Sequence, residues 1–337
     1  MRVPNDIRVA CLGFVFDPVA QEIVRSVAPP GFSLSFAAKS DQITDAMLAE
    51  SDIIMGVAAV TDEMMARAPR LRLIQKWGAG YDQIDHKAAE RRGIALAITA
   101  GVNANTIGEH AVLLMLAVLR RIVLADRAFR EGRWITGELR PQSRKLYGKT
   151  VGIVGFGNIG RAVARYLRGF ETRTLCCCRT KPEDAALQKL GVTYVPFEQL
   201  LAESDVITLH CPGGVANRHM IDKTAIGKMK RGAVLINTAR GELVVEDDLV
   251  EALRSGQLSG AGLDVFVQEP LRPESQLRSL DNVVLTPHSA GSVMDDVGLM
   301  ASHAFENIRR FLRGEPIRPA DVIVASNETR RVASKTR

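Results

Sequence analysis

The sequence predicts an α/β protein built as two lobes, and three observations predict it. The chain has 337 residues, more than one ordinary domain holds and well suited to two. Short apolar runs alternate with amphipathic stretches in two separate series, the pattern of mostly parallel sheets covered by helices. Between the two series lies one long apolar segment, "NANTIGEHAVLLMLAVLRRIVLADRAF".

In the first series "IRVACLGF" reads as a strand, "DPVAQEIVRSVA" as a helix, and "SLSFAA" and "SDIIMGV" as strands. "LRLIQKWGAG" reads as a strand that ends in a glycine loop. The long segment is apolar almost all round, which predicts a single long buried helix. The second series has strands at "TVGIVG", "RTLCCC", "VTYVPF", "DVITLHCP", "GAVLINTAR", "GAGLDVF" and "NVVLTPHSAG". Its helices are "IGRAVARYLRGF", "FEQLLAES", "KTAIGKMK" and "VEDDLVEALRSG". A last helix, "MDDVGLMASHAFENIRRFLRG", is expected to return to the first lobe. The expected boundaries are 1–104 with 290–330 for one lobe, 105–289 for the other, and 331–337 for a basic tail.

The composition, 46% hydrophobic and 24% charged, is that of a globular protein. No apolar run has the length of a membrane span, and the N-terminus lacks a basic-then-apolar leader, so the expected location is cytoplasmic, with no membrane partner. The net charge is 44 − 38 = +6. Arg330, Arg331, Lys335 and Arg337 put part of it in the tail, read here as a solvated terminus; no basic helix or stripe accompanies it, so no nucleic-acid partner is expected. The cysteines Cys11, Cys176, Cys177, Cys178 and Cys211 are odd in number and unpaired in spacing, which argues against a disulfide framework. They form no zinc-type pair. On a strand Cys176 to Cys178 alternate between faces and cannot converge on one ion, so no metal site is expected.

"GFGNIG" stands between a strand and a helix, the context that makes this spacing a dinucleotide fingerprint. Gly155 makes the turn, Gly157 lets the backbone approach a pyrophosphate, and Gly160 lets helix and strand pack closely. The helix N-terminus offers N–H groups and a positive dipole to the phosphates. The residue that reads the adenosine ribose comes ~20 residues further on. Cys178 lies 178 − 160 = 18 residues past Gly160, where an Asp or Glu would select NAD. Here Cys178 is followed by Arg179, Thr180 and Lys181, donors suited to a dianionic phosphate. The expected cofactor is NADP, with NAD possible if the stretch is an ordinary turn.

In an open α/β sheet, ligands bind outside the carboxyl ends of the strands. There "VLINTARG" delivers Thr238 and Arg240, "GLDVFVQEP" delivers Asp264 and Glu269, and "VVLTPHSAG" delivers His288. A histidine is the usual proton shuttle near neutral pH. A carboxylate beside it would hold its ring, and an arginine would clamp a substrate carboxylate and polarise its carbonyl. The same three residues would also make a surface salt-bridge set. Of the other histidines, His110 is expected in the core of the long helix. His86 and His303 fall in helices, His219 follows a Gly-Gly loop, and His210 is expected to shape the cofactor wall.

The motifs "GAGYDQID", "GVNANTIGEH", "GFGNIG", "INTARGELV", "GLDVFVQEP" and "TPHSAG" together resemble those of the D-isomer-specific 2-hydroxyacid dehydrogenases, over most of the chain. The resemblance implies two Rossmann-like lobes: a flavodoxin-like substrate lobe and a doubly wound dinucleotide-binding lobe. It implies that His288 donates the proton in reduction of a small 2-oxo acid to a D-2-hydroxy acid. Glu269 would pair with His288, and Arg240 would bind the carboxylate and carbonyl. Gly78, Ala79 and Gly80 would hold the carboxylate through backbone N–H groups. Asn158, Ile159, Arg179, Cys211, Pro212, Thr238, Ala239, Asp264, Ala290 and Gly291 would line the cofactor. The resemblance also implies a homodimer formed through the cofactor lobe. The sequence departs from the family at Gly108, where alanine is usual, and at Cys178, where the ribose acid is missing. Glyoxylate or hydroxypyruvate is the expected substrate type. The rivals are phosphoglycerate dehydrogenase, phosphite or formate oxidation, and a nicotinamide-sensing corepressor.

Overall fold

The computed structural model describes residues 6–13 and 18–325; the basic tail lies outside the described residues. The chain divides into two compact units, one running up to Asn103 and again from Val293, the other Ala104–Ser292.

The first unit holds β1 (Ile7–Leu12), β2 (Phe32–Ala37), β3 (Ile53–Gly56), β4 (Leu73–Lys76), β5 (Ala95–Ala97) and, from the far end of the chain, β13 (Val322–Val324). Their order in the sheet is β13-β5-β4-β3-β1-β2. Without β13 this is a flavodoxin-type order. β3 and β4 are buried along their whole length, as expected of central parallel strands covered on both faces. β2 alternates half-buried and exposed residues because it is an edge. The helix Val297–Leu312 buries Met300, Ala301, Ala304, Phe305, Ile308 and Phe311, the three-four spacing of a single packed face. Together with the helix Pro18–Val27 it covers one side of the sheet.

β13 runs antiparallel to β5 and brings Asp321, which has no solvent exposure, against the segment after β5. Its carboxylate accepts from Ala100 N–H at 2.9 Å, His303 Nε2 at 2.9 Å, and Arg318 Nε at 3.0 Å and Nη2 at 2.9 Å. Burial alone would raise its pKa, but these donors and the charge of His303 outweigh it and hold the carboxyl below its ordinary range. The sequence pattern shows neither β5 nor β13, each three residues long.

The second unit holds β6 (Thr150–Val154), β7 (Arg173–Cys177), β8 (Val192–Tyr194), β9 (Val206–Leu209), β10 (Ala233–Asn237), β11 (Leu258–Leu263) and β12 (Val283–Leu285). The order is β12-β11-β10-β9-β6-β7-β8, and every pair is parallel. The order reverses at β6, the doubly wound arrangement whose crevice takes a dinucleotide.

The long helix expected over 103–129 is two helices, Ala104–Leu119 and Ile122–Arg130. Arg121 between them is left-handed, at φ 54°. Its guanidinium bonds the Ser259 carbonyl at 2.8 Å, and Arg144 N–H caps the Leu119 carbonyl at 2.8 Å. The break coincides with a change of surroundings. The first helix is buried on most sides, whereas the second buries only Ala128. Gly108 is a packing device, since a Cβ there would stand 3.0 Å from the Ala162 Cβ of the helix Asn158–Leu167.

Asp321→Asn is expected to lower unfolding stability by about 1.5–3 kcal/mol at pH 7, the worth of a hydrogen bond to a charged group. The wild-type pKa is depressed, so this stability is full above the unfolded carboxylate value, ~3.9, and is lost as pH falls through the lower folded value. Urea titrations of both proteins at neutral and acid pH should therefore show the gap closing only on the acid side; a constant gap would refute the assignment.

Candidate functional site

The glycine loop follows β6. Gly155 has φ 95°, and a Cβ there would lie 2.6 Å from the His210 carbonyl carbon, so both conformation and crowding require glycine. His210 is thus the wall beside the loop. Burial pushes its ring to about 3, so it is neutral at physiological pH, and its Nε2 lies 2.9 Å from Thr208 Oγ1. A Cβ at Gly160 would meet the Gly155 carbonyl oxygen at 2.2 Å, which is the close helix–strand approach read from the sequence. Around Gly157 there is open space instead. Gly157 and Asn158 are exposed and Ile159 is half-buried, at the N-terminus of the helix Asn158–Leu167. This is a cradle that a pyrophosphate fits.

A cavity of about 630 Å³ adjoins the loop, lined by residues that include Phe156, Gly157, Arg161, Cys178, Arg179, Thr180 and Lys181. The three cysteines alternate as expected of a strand. Cys176 packs on one side of the sheet and Cys177 on the other, and burial pushes both thiols up to about 12. Cys178 is half-buried and donates to the Thr180 carbonyl at 3.1 Å. Lys181 pairs with Asp184 at 2.8 Å. Arg179 is exposed. Arg161, which sequence reasoning passed over, lies over the Phe156 ring and bonds its carbonyl at 3.3 Å.

Across the sheet, the ends of β10, β11 and β12 bring the reactive types together. His288 Nδ1 is 2.7 Å from Glu269 Oε2. The other carboxylate oxygen of Glu269 accepts from Phe266 N–H at 3.0 Å. Burial raises the Glu269 pKa, but the bonds from His288 and Phe266 and the charges of His288 and Arg240 outweigh it, so the group stays ionised below the usual carboxylate range. Arg240 is therefore within electrostatic reach of the pair. Its Nη1 bonds the Ala239 carbonyl at 2.6 Å. Asn237, absent from the sequence reading, organises this turn, bonding the Arg240 carbonyl at 2.8 Å and the Ala239 N–H at 3.0 Å.

His288 has φ 52°, a conformation that costs a side-chain-bearing residue and needs support from its surroundings. Asp264 provides it. Asp264 is fully buried. Its backbone carbonyl accepts from His288 N–H at 2.8 Å. Its carboxylate accepts from Thr286 Oγ1 at 2.6 Å, Ser289 N–H at 2.8 Å and Ala290 N–H at 2.9 Å. Asp264 and Ala290, expected as cofactor-lining residues, thus spend their polar groups on the turn. His110 belongs to the same network rather than to the apolar core: its Nε2 lies 3.1 Å from Thr286 Oγ1 and 3.6 Å from Asp264 Oδ1.

Among the remaining expected residues, Thr238 Oγ1 is buried without a hydrogen-bond partner among the described residues, an orphaned group that an amide-bearing ligand such as a nicotinamide would satisfy. Cys211 contacts Met220, and burial pushes its thiol up to about 11. Pro212 and Gly291 are exposed. Gly78, Ala79 and Gly80 follow β4 in the first unit. There Gly78 N–H donates to Thr99 Oγ1 at 2.7 Å, and Ala79 is exposed.

A family model described as "D-isomer specific 2-hydroxyacid dehydrogenase, NAD binding domain" matches residues 112–290. A glyoxylate reductase of Korarchaeum cryptofilum is 43% identical over 265 residues, 77% of this chain and 80% of that protein. A D-3-phosphoglycerate dehydrogenase of Archaeoglobus fulgidus is 34% identical over 312 residues, 91% of this chain but 58% of that longer protein. The crystal structure of a D-lactate dehydrogenase from Aquifex aeolicus, complexed with NAD and lactic acid, superimposes with a TM-score of 0.80 at 28% identity, covering 95% of this chain and 100% of that one. With the glycine cradle, the His288–Glu269 pair and the two mostly parallel sheets, these likenesses identify the chain as a nicotinamide-dependent oxidoreductase belonging to the D-isomer-specific 2-hydroxyacid dehydrogenase family.

Proposed function

We propose that this chain reduces the C2 carbonyl of a small 2-oxo acid of the glyoxylate or hydroxypyruvate type to a D-2-hydroxy acid, with NADPH preferred over NADH. The His288–Glu269 contact at 2.7 Å, within reach of the Arg240 charge, carries this reading. When bound, the nicotinamide supplies hydride to C2. His288 gives a proton to the carbonyl oxygen. Its Nδ1–H is committed to Glu269, so the proton it gives is the one on Nε2. Arg240 offers its planar fork to the substrate carboxylate and carbonyl, and Ala79 and Gly80 offer N–H groups to the carboxylate.

The glyoxylate reductase relatives support the substrate type. Against a phosphorylated substrate, Lys76 beside the glycine loop is buried, its ammonium donating to the Trp77 carbonyl at 3.0 Å. A nicotinamide-sensing corepressor is favoured by the basic tail alone, which lies outside the described residues. A paired proton donor favours turnover over sensing. Support for a homodimer comes from Leu113, Ile122, Val123, Phe129 and Trp134, large apolar side chains exposed along one stretch of the cofactor unit. Five free cysteines accord with a reducing, cytoplasmic setting. For NADP the support is Arg179, exposed on the cavity and without an ion pair among the described residues.

His288→Ala should lower kcat for glyoxylate reduction by at least ~10²-fold, the usual worth of a positioned acid, while NADPH still quenches protein fluorescence with unchanged affinity. Near-normal turnover would remove His288 from its role.

Glu269→Gln should lower kcat/KM for glyoxylate by roughly tenfold or more, because the His288 ring loses the carboxylate that holds its Nδ1–H, with the KM for NADPH within about twofold. Unchanged kcat/KM would remove Glu269 from its role.

Arg179→Ala should reduce the preference for NADPH over NADH, measured as the ratio of kcat/KM values, by about ten- to a hundred-and-fifty-fold, the range of a charge-assisted bond, and less where salt screens it. Cys178→Asp should shift the ratio the same way by repelling the 2′-phosphate. A wild type that already prefers NADH, with a ratio insensitive to Arg179, would refute the cofactor assignment.

A further inference from the structure

We infer that Thr99 is a positioning residue for substrate, one whose hydroxyl fixes the loop Gly78–Gly80 so that two of its N–H groups are left for a carboxylate. The inference rests on the proposed role of that loop and adds the group that shapes it. Thr99 is fully buried and lies just past β5, next to β4 in the sheet. Its Oγ1 accepts from Gly78 N–H at 2.7 Å, and its own N–H donates to the Gly78 carbonyl at 3.1 Å. The two residues therefore close a reciprocal pair. Gly78 has φ 104°, and no atom lies within 4 Å of where its Cβ would be, so the loop opens onto free space at the carboxyl end of the sheet. Among the described residues, the Ala79 and Gly80 N–H groups have no internal acceptor, and Ala79 is exposed.

The direction of the Thr99 hydroxyl is itself set. Its other neighbour is Met300 Sδ at 3.7 Å, and a thioether only accepts. The hydroxyl hydrogen goes to the sulfur, which leaves an oxygen lone pair for Gly78. The backbone on either side of Thr99 is held as firmly. Ile98 N–H donates to the Asp321 carbonyl at 2.8 Å, and the Ile98 carbonyl accepts from the buried Asn307 side chain at 3.1 Å. Ala100 N–H reaches the Asp321 carboxylate at 2.9 Å, and the Ala100 carbonyl accepts from Arg318 at 2.6 Å. Thr99 is thus a fixed post to which the loop is tied, and without its hydroxyl Gly78 N–H would lose its acceptor and the loop its anchor.

The test is steady-state kinetics of the full chain with glyoxylate and NADPH. Thr99→Val keeps shape and removes the acceptor. It should raise KM for glyoxylate about tenfold, the scale of one ordinary hydrogen bond, with kcat and the KM for NADPH within about twofold. Thr99→Ser should restore most of the loss. An unchanged glyoxylate KM in folded Thr99→Val, or a parallel worsening of both KM values and kcat that Ser does not rescue, would overturn the inference. If Thr99→Val does not fold, Met300→Leu decides. It frees the hydroxyl to rotate and should raise only the glyoxylate KM, by about two- to threefold; no change there would overturn the inference as well. Ala79→Pro removes a proposed carboxylate donor directly. No effect of that change on the glyoxylate KM would sink the loop's role itself, whereas an effect of Ala79→Pro without one of Thr99→Val would sink the part given to Thr99 alone.

Discussion

A carboxylate with no access to water must have its lone pairs satisfied by the protein, and Asp264 meets this demand by gathering the turn that carries His288. Thr286, Ser289 and Ala290 all donate to it. The cost of leaving any of those bonds unmade is set by low local dielectric, which makes an unpaired buried charge far more unfavourable than an unpaired surface one. That same cost is what keeps His288 at a positive φ. The strain at one residue is small beside the penalty for releasing the carboxylate. The imidazole is therefore presented to Glu269 by a rigid turn, and the charge on Glu269 is maintained because its own donors outweigh its burial.

The first unit solves a parallel problem with a second buried acid. Asp321 fixes the segment 98–100, and that segment fixes the glycine loop after β4. In each unit a turn at a strand end is held from behind by a carboxylate that solvent does not reach.

Much of this was legible in the sequence, and the reason is topological. A parallel strand delivers its carboxyl-end residues to one edge of the sheet, so Arg240, Glu269 and His288 could be placed together from strand order alone, and the flanking strand and helix gave "GFGNIG" its meaning. What stayed hidden depends on contacts that sequence spacing does not encode. His110 meets Thr286 176 residues away, and nothing in an apolar helix distinguishes such a histidine from a core one. The break at Arg121 was hidden because hydrophobic periodicity continues through it; only the Ser259 carbonyl and the Arg144 N–H, both distant in sequence, end the helix there. β5 and β13 are too short to show a pattern. Asn237 and Thr99 carry one sequence signal, that of polar residues ending apolar runs.

The stretch "CCCRTK" shows how far composition can be trusted and where structure must qualify it. Read as three donors in a row, it overstates the positive charge facing the cavity. Lys181 is partnered by Asp184, which lowers its net field there, and Thr180 lends its carbonyl to the Cys178 thiol. Arg161 also lines the cavity, but its guanidinium is tied to Phe156. If the cofactor carries a 2′-phosphate, Arg179, which is exposed, would be the charge that follows it, and because an exposed arginine acts through a high-dielectric medium its contribution would fall with ionic strength. Cys178 would contribute differently, by leaving out an acid that would repel that phosphate. On the proposed reading, discrimination at low salt comes mainly from Arg179, and the part that survives at high salt comes from hydrogen-bond geometry in the cavity.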